Sequence, residues 1–231
     1  MRTSGSLNIN VITLFPQMFN GVITKSIINR EIQKKIVSVN FINLRNFAND
    51  KHKTVDDKPY GGGRGMLLKV DVTVKALESI KLQTYKILLS ASGQKYNQKL
   101  ATDLAKKKDI TIICGHYEGI DSRIEKFVDQ SISIGDFILS GGEIAAMVII
   151  DSIIRLIPGV IHKESSRNES FSDTSAFLEY PQYTRPDNFR GLKVPKILLS
   201  GNHQAIKTWQ NIQSVKRTEK IRPDLIKTGN K

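Results

Sequence analysis

The sequence predicts an α/β fold built on a mostly parallel sheet. Two observations carry that prediction. Short apolar, β-branched runs alternate with helical patterns, the arrangement of successive βαβ units. Three of those runs end in glycine-bearing loops: LLSASGQ (88–94), CGHYEGID (114–121) and SIGDFILSGGE (133–143). In open parallel sheets, ligands bind beyond the carboxyl ends of the strands, where such loops lie.

Taken in order, LNINVITLF (7–15) alternates and then runs apolar, as a strand does. Pro16 is well placed at a first helical position and predicts a helix to about Lys35. IVSVNFINL (36–44) is the next strand, and a long polar loop, RNFANDKHKTVDDKPYGGGRG (45–65), follows it. A loop of that length inside a compact domain is usually functional or mobile. Val70–Ile80 predicts a helix, and YKILLS (85–90), DITIICG (109–115) and QSISIG (130–135) predict strands. Helical patterns at Asn97–Lys107 and Ser122–Asp129 separate them. Residues Ile144–Ile157 form a helix pattern that is apolar on nearly every side. That helix is too short to span a bilayer, which takes about 20 apolar residues. The polar stretch Asn168–Asp187 is expected to be a linker or moving loop, and short helical patterns follow near Gly201–Ser214.

The pair Gly141-Gly142 stops an apolar strand just before the most hydrophobic helix. Glycine costs roughly 0.5–1 kcal/mol against alanine inside an element. A pair at this point implies a tight turn or backbone that comes close to something else.

Composition narrows the function. A hydrophobic share of 39% and a charged share of 25% describe a globular chain. The single cysteine, Cys114, excludes an internal disulfide framework and a cysteine-based zinc cluster. MRTSGS at the start has no apolar core for a secretory signal, so a cytoplasmic location is expected. Net charge is +13, and from Asn188 onward ten Lys/Arg stand against Glu219 and Asp224. A segment of that charge suits a polyanionic partner, because neutralising phosphates releases counterions.

The usual nucleotide signatures are missing: there is no phosphate loop and no G-x-G-x-x-G opening a helix after the first strand. Gly61-Gly62-Gly63-Arg64-Gly65 follows Asp56-Asp57-Lys58-Pro59-Tyr60 and reads as a segment that wraps a substrate. His52, His116, His162 and His203 are scattered and suggest no metal. The serine of Ser140-Gly141-Gly142 has no evident triad partners. Asp151 and Arg155 are four apart on the apolar helix and share a face. An intrahelical ion pair is one reading of them. The other is a contribution of Arg155, with the carboxylate of Glu169, to proton transfer and charge stabilisation.

DDKPYGGGRGM, CGHYEGIDSRI, SIGDFILSGGE, IRLIPGV, LEYPQYTRP and LLSGNH occur in this order. Together they closely resemble the bacterial tRNA (guanine-N1)-methyltransferase family, over about Asn8 to Ile226. The resemblance implies a SPOUT-type methyltransferase domain ending in a deep trefoil knot, a topology that spacing alone would not suggest. It implies that residues 1–165 are this domain, 166–187 a flexible linker and 188–231 a small basic helical tRNA-binding domain. Family members are homodimers. The implied donor is S-adenosylmethionine, with Mg²⁺ as an optional helper. The implied acceptor is N1 of guanosine 37 of a tRNA with guanosine at 36 and 37. No DNA or membrane partner is expected.

By that resemblance, Gly115 and Ile134, Gly135, Asp136, Phe137, Ile138 and Leu139 touch the adenosine part through backbone. Gly141 and Gly142 let the chain turn close around the ligand. Leu89, Tyr117, Glu118 and Gly119 line the same pocket. The apolar helix is expected in the knot and the dimer interface. Glu169, before Ser170-Phe171, stands at the position of the family's base, and Arg155 at that of its helper. The chain departs from the family in several places. Glu169 replaces the commoner aspartate, with Asp173 as a nearby substitute, and His116 stands where arginine is usual. Ser90-Ala91-Ser92-Gly93 replaces a Ser-Pro-Gln-Gly turn, two extra residues sit in SFSDTSAFLEYP, and the tail is short after RPDLI. Two other readings compete: an inactive RNA-binding relative with the same fold, and a dinucleotide oxidoreductase, which the missing fingerprint disfavours.

Overall fold

The computed structural model describes residues 6–161, 169–172 and 177–228. The chain divides into two compact units, residues 1–161 and 162–231.

The first unit is built on five strands: β1 (Leu7–Thr13), β2 (Val37–Asn43), β5 (Tyr85–Lys95), β6 (Asp109–Ile113) and β7 (Gln130–Ser133). Their order across the sheet is β2-β1-β6-β5-β7. Every pairing is parallel. Successive side chains of a strand point to opposite faces, so a sheet covered on both faces needs apolar residues at nearly every position. The central strands β5 and β6 follow that pattern in Ile87-Leu88-Leu89 and Ile110-Thr111-Ile112-Ile113, while β1 and the edge strand β2 alternate with polar residues. Ile9 and Val11 of β1, Ile87 and Leu89 of β5, and Ile110 and Ile112 of β6 enter one core. Ile12, Leu88 and Ile113 enter the other.

Helices α2 (Ser26–Gln33), α4 (Gln98–Ala105) and α5 (Glu143–Ile154) contribute Ile28, Leu104 and Ile149, Ile150, Ile153 and Ile154 to the first core. Helix α3 (Val70–Glu78) supplies Val72, Ala76 and Leu77 to the second. The strand-helix alternation of the sequence thus produces an α/β unit with helices on both sides of a parallel sheet.

Three elements differ from the expectation. The helix expected from Pro16 is broken into a 3-10 turn (Pro16–Phe19), a single turn α1 (Asn20–Ile23) and α2. Gly21 and the β-branched run Val22-Ile23-Thr24 are poor helix formers. The Thr24 hydroxyl also bonds the Asn20 carbonyl at 2.6 Å. Ser26 at φ +60 completes the break. The segment Ser122–Phe127 is a 3-10 helix, its Asp121 cap accepting the Arg123 amide at 3.0 Å. The long polar loop is partly ordered: β3 (Asp56–Asp57) and β4 (Leu67–Leu68) pair antiparallel and leave 58–66 as a finger.

In the second unit, β8 (Asn188–Phe189) and β9 (Leu192–Lys193) form a hairpin. Helix α6 (His203–Ile221) and the short α7 (Asp224–Thr228) follow. Asn202 caps α6 by accepting the Ala205 amide at 3.0 Å. The stretch expected to be linker is bonded along α6 at Leu178, whose amide donates to the fully buried Thr218 hydroxyl at 2.8 Å. Tyr183 lies 6.4 Å from Trp209, ring centre to ring centre.

Candidate functional site

A bulge within β5 and the loops that follow β6 and β7 meet at one edge of the sheet and line an open cavity of about 390 Å³. Each is shaped by a local sequence feature. On β5, Leu89 and Gln94 both pair with Ile132, so Ser90–Gly93 bulge out of the ladder. A bulge re-aims the chain at a sheet edge. Gly93 fits only because it lacks a side chain: a Cβ there would lie 2.5 Å from the Ile132 nitrogen.

The second and third loops close on each other. The Gly142 amide donates to the Gly115 carbonyl at 2.7 Å, and His116 pairs with Gly141 as an antiparallel bridge. A Cβ on Gly142 would sit 2.8 Å from Cys114 Cα and 2.9 Å from the Gly115 nitrogen. Gly142 has an ordinary helical φ of −78. Gly142 therefore answers a close backbone approach rather than an unusual dihedral, and Gly141 leaves room for the Glu143 and His116 side chains, which a Cβ would meet at 2.4 Å and 2.6 Å.

The cavity brings together Leu89, Gly115, Tyr117, Glu118 and Gly119 from the first two loops. From the third it gathers Ile134, Gly135, Phe137, Ile138, Leu139, Gly141 and Gly142. Asp136 is not in the wall; its carboxylate pairs with Lys95 at 2.9 Å on the surface. Arg155 is the half-buried C-terminal cap of α5, its amide donating to the Asp151 carbonyl at 3.2 Å. Glu169 belongs to the second unit and opens a turn in which the Ser172 amide donates to its carbonyl at 3.3 Å. Asp173 lies outside the described residues.

The structure adds residues that sequence reasoning passed over. Ser122, Ile124 and Glu125 complete the wall. Beneath it, Glu143 is almost fully buried and accepts the Thr13 hydroxyl at 2.7 Å. Its other oxygen lies 3.9 Å from His116 Nδ1, a buried atom with no hydrogen-bond partner. The His116 ring packs edge-on against Phe15 and Tyr117. An acid in the first turn of an apolar helix is a readable signal, since the helix dipole favours it there. Burial pushes the neighbouring Cys114 thiol well above its ordinary range, and the Glu143 charge adds to that.

Glu118 and Glu125 place carboxylates in the wall, and no lysine or arginine is among the described residues lining it. That balance suits a cation or a neutral ligand and disfavours a polyphosphate. Among the described residues there is no group of three or more His, Cys, Asp or Glu able to hold a metal ion. No helix of the described residues is long and apolar enough to cross a membrane.

A parallel sheet with a concave, loop-built pocket beyond its carboxyl edge defines an α/β protein of the ligand-binding, enzymatic type. Comparison with known proteins narrows the class. Residues 7–228 match the family model described as tRNA (Guanine-1)-methyltransferase TrmD. The chain is 54% identical over 224 residues to the tRNA (guanine-N(1)-)-methyltransferase of Carboxydothermus hydrogenoformans, covering 96% of this chain and 88% of that protein. It is 53% identical over 220 residues to the enzyme of that name from Mesomycoplasma hyopneumoniae strain 7448, covering 95% of each. With that of Geobacillus kaustophilus it shares 51% over 225 residues, covering 95% of this chain and 91% of the other. The chain belongs to the tRNA (guanine-N1)-methyltransferase family.

Proposed function

We propose that this protein transfers a methyl group from S-adenosylmethionine to N1 of guanosine 37 in tRNA, beside the anticodon. The observation that carries the reading is the glycine-walled cavity with acidic side chains and, among the described residues, no lysine or arginine, in a chain of this family. S-adenosylmethionine supplies an electrophilic methyl on a cationic sulfonium. Glu118 and Glu125 match that charge, and Leu89, Ile134, Ile138 and Leu139 offer apolar surface to an adenosine. A dinucleotide would instead bring phosphates against carboxylates, which counts against the oxidoreductase reading.

Guanine N1 carries a proton and is a weak nucleophile until that proton leaves. Glu169 is the group that accepts it. Arg155 stabilises the negative charge that then grows on O6, as a fixed guanidinium does most effectively away from bulk water. The N1–C bond forms as the S–C bond breaks, and rate comes largely from positioning. Both charged groups are present, which favours an active enzyme over an inactive RNA-binding relative.

The acceptor side rests on charge. The stretch from Asn188 carries the ten Lys/Arg, and α6 presents Lys207, Lys216, Arg217 and Lys220. We assign it to the tRNA backbone. The functional unit we propose is a homodimer with a knotted donor loop. Ile144 and Val148 on α5 are exposed at 46% and 44% although Ala145, Ala146, Ile149, Ile150, Ile153 and Ile154 of that helix are buried, and a second copy would cover them. The hydrogen bond from the Gly142 amide to the Gly115 carbonyl holds two of the cavity loops together, a close approach that a threaded chain would need.

The test is transfer of labelled methyl to two tRNA transcripts, one with guanosines at 36 and 37 and one with adenosine at 37. Label on the first alone supports the reading; label on neither, with tRNA still bound, returns the inactive relative.

A further inference from the structure

The glycine-rich finger does not line the cavity, yet its last residues are bonded to one of the cavity's loops. The Glu118 amide donates to the Met66 carbonyl at 3.1 Å, the Leu68 amide to the Gly119 carbonyl at 3.0 Å, and the Asp121 amide to the Leu68 carbonyl at 3.1 Å. Leu68 and Ile120 also form a parallel bridge. Residues 66–68 therefore run as a strap along 118–121.

At the head of this strap the Glu118 side chain lies across Gly65. A Cβ on Gly65 would come within 2.4 Å of Glu118 Cγ, 2.6 Å of Oε1 and 2.8 Å of Cδ. Those contacts run along the side chain from its second carbon, so no small adjustment at its tip would relieve them. The Glu118 backbone is held by the strap, so a Cβ at position 65 would force the carboxylate into another rotamer. Gly61, in the same finger, has nearly the same φ, +82 against +83 for Gly65, but a Cβ there meets nothing within 4 Å.

We propose that Gly65 is a positioning residue for the cavity: it is the seat on which Glu118 rests, and the finger thereby sets the direction of the Glu118 carboxylate. This rests on the reading of the cavity as the S-adenosylmethionine site. Tyr60, at the finger's base, is 98% exposed. A bound acceptor that shifted the finger would shift Glu118 with it, and the coupling would be reciprocal, since linkage requires each ligand to change the other's affinity by the same factor.

The experiment is calorimetric titration of S-adenosylmethionine into the full-length protein without tRNA, for the unsubstituted chain, Gly65→Ala, Gly61→Ala, Glu118→Ala and the double variant Gly65→Ala/Glu118→Ala. Both glycine variants carry the same strain of a left-handed backbone; only Gly65→Ala displaces Glu118. Loss of a charge-assisted contact predicts about tenfold weaker binding for Gly65→Ala and less than about twofold for Gly61→Ala. The double variant should match Glu118→Ala alone. Equal losses in the two glycine variants, or a Gly65→Ala loss that persists without Glu118, overturn the inference while leaving the donor site standing. Absence of binding by the unsubstituted chain removes the donor assignment and this inference with it. Should Gly65→Ala melt below the assay temperature, Gly65→Asn tolerates the left-handed region better, makes the same clash and carries the same expectation.

Discussion

Thr13, the last residue of β1, donates its hydroxyl proton to Glu143 at the start of α5, 2.7 Å away and 130 residues on in sequence. The same hydroxyl oxygen accepts the Phe15 amide at 2.9 Å. One small side chain thus satisfies a buried carboxylate and a turn. Thr13→Val keeps the shape and removes both bonds. Leaving buried polar groups unpaired costs roughly 1–3 kcal/mol. A shift of the urea midpoint without a change of slope is the expected result; an unchanged midpoint would show the pair to be dispensable.

Gly142 is expected to resist any side chain. A Cβ would lie 2.8 Å from backbone that has nowhere to move, and overpacking of this kind typically costs about 1–3 kcal/mol. Gly142→Ala should lower stability and weaken S-adenosylmethionine binding together. Gly21→Ala is the matched control, because its Cβ would meet nothing within 4 Å. That change lies in α1 and should be neutral or slightly stabilising, as alanine is in a helix. Paired melting curves and titrations decide it.

Glu169→Ala and Arg155→Ala should each abolish most methyl transfer while donor affinity survives. A general base contributes typically 10²–10⁴-fold, so single-turnover rates should fall by about that factor for Glu169→Ala. If donor affinity collapses in step with the rate, Glu169 is structural and the assigned role is wrong.

Cys114 gives a pH signature. Its folded-state thiol is raised by burial first and by Glu143 second. A group raised on folding supports the fold below its unfolded pKa, and that support is lost as pH climbs. Above about 8.5, the ordinary thiol value, the unfolded chain sheds a proton that the folded chain keeps. Stability should then decline with a slope of up to about 1.4 kcal/mol per pH unit from this group. Denaturation at pH 7.5 and 9.5 should show that slope shrink in Cys114→Ala. A disulfide reagent should likewise label the native thiol only as fast as the protein opens.

Much of this was legible in the residues. The strand-helix alternation and the apolar runs of β5 and β6 announced a parallel sheet covered on both faces, and Gly141-Gly142 announced a close approach. Glu143 and Thr13 were not legible as a pair, since no local pattern joins positions 130 apart. The broken helix after Pro16 was misread because proline marks a beginning and says nothing of length; Gly21 and Thr24 held that information. Gly65 looked like one of several flexible glycines. Only the placement of Glu118 distinguishes it from Gly61, and that placement comes from strap bonds between distant segments.

The parallel order β2-β1-β6-β5-β7 sets the tempo at which this chain reaches its native state. β1 must wait for β6, and the Asn8 side chain finds Asp109 at a sequence separation of 101. Closing a span of that length is entropically costly before any contact rewards it, and chains dominated by such pairings fold on the slow side of their size class. The Gly142–Gly115 clasp can form only after β6 has found its place beside β1 and α5 has been brought back across the sheet. The pocket, walled by segments of β5, β6 and β7, is complete only once those long-range pairings are in place.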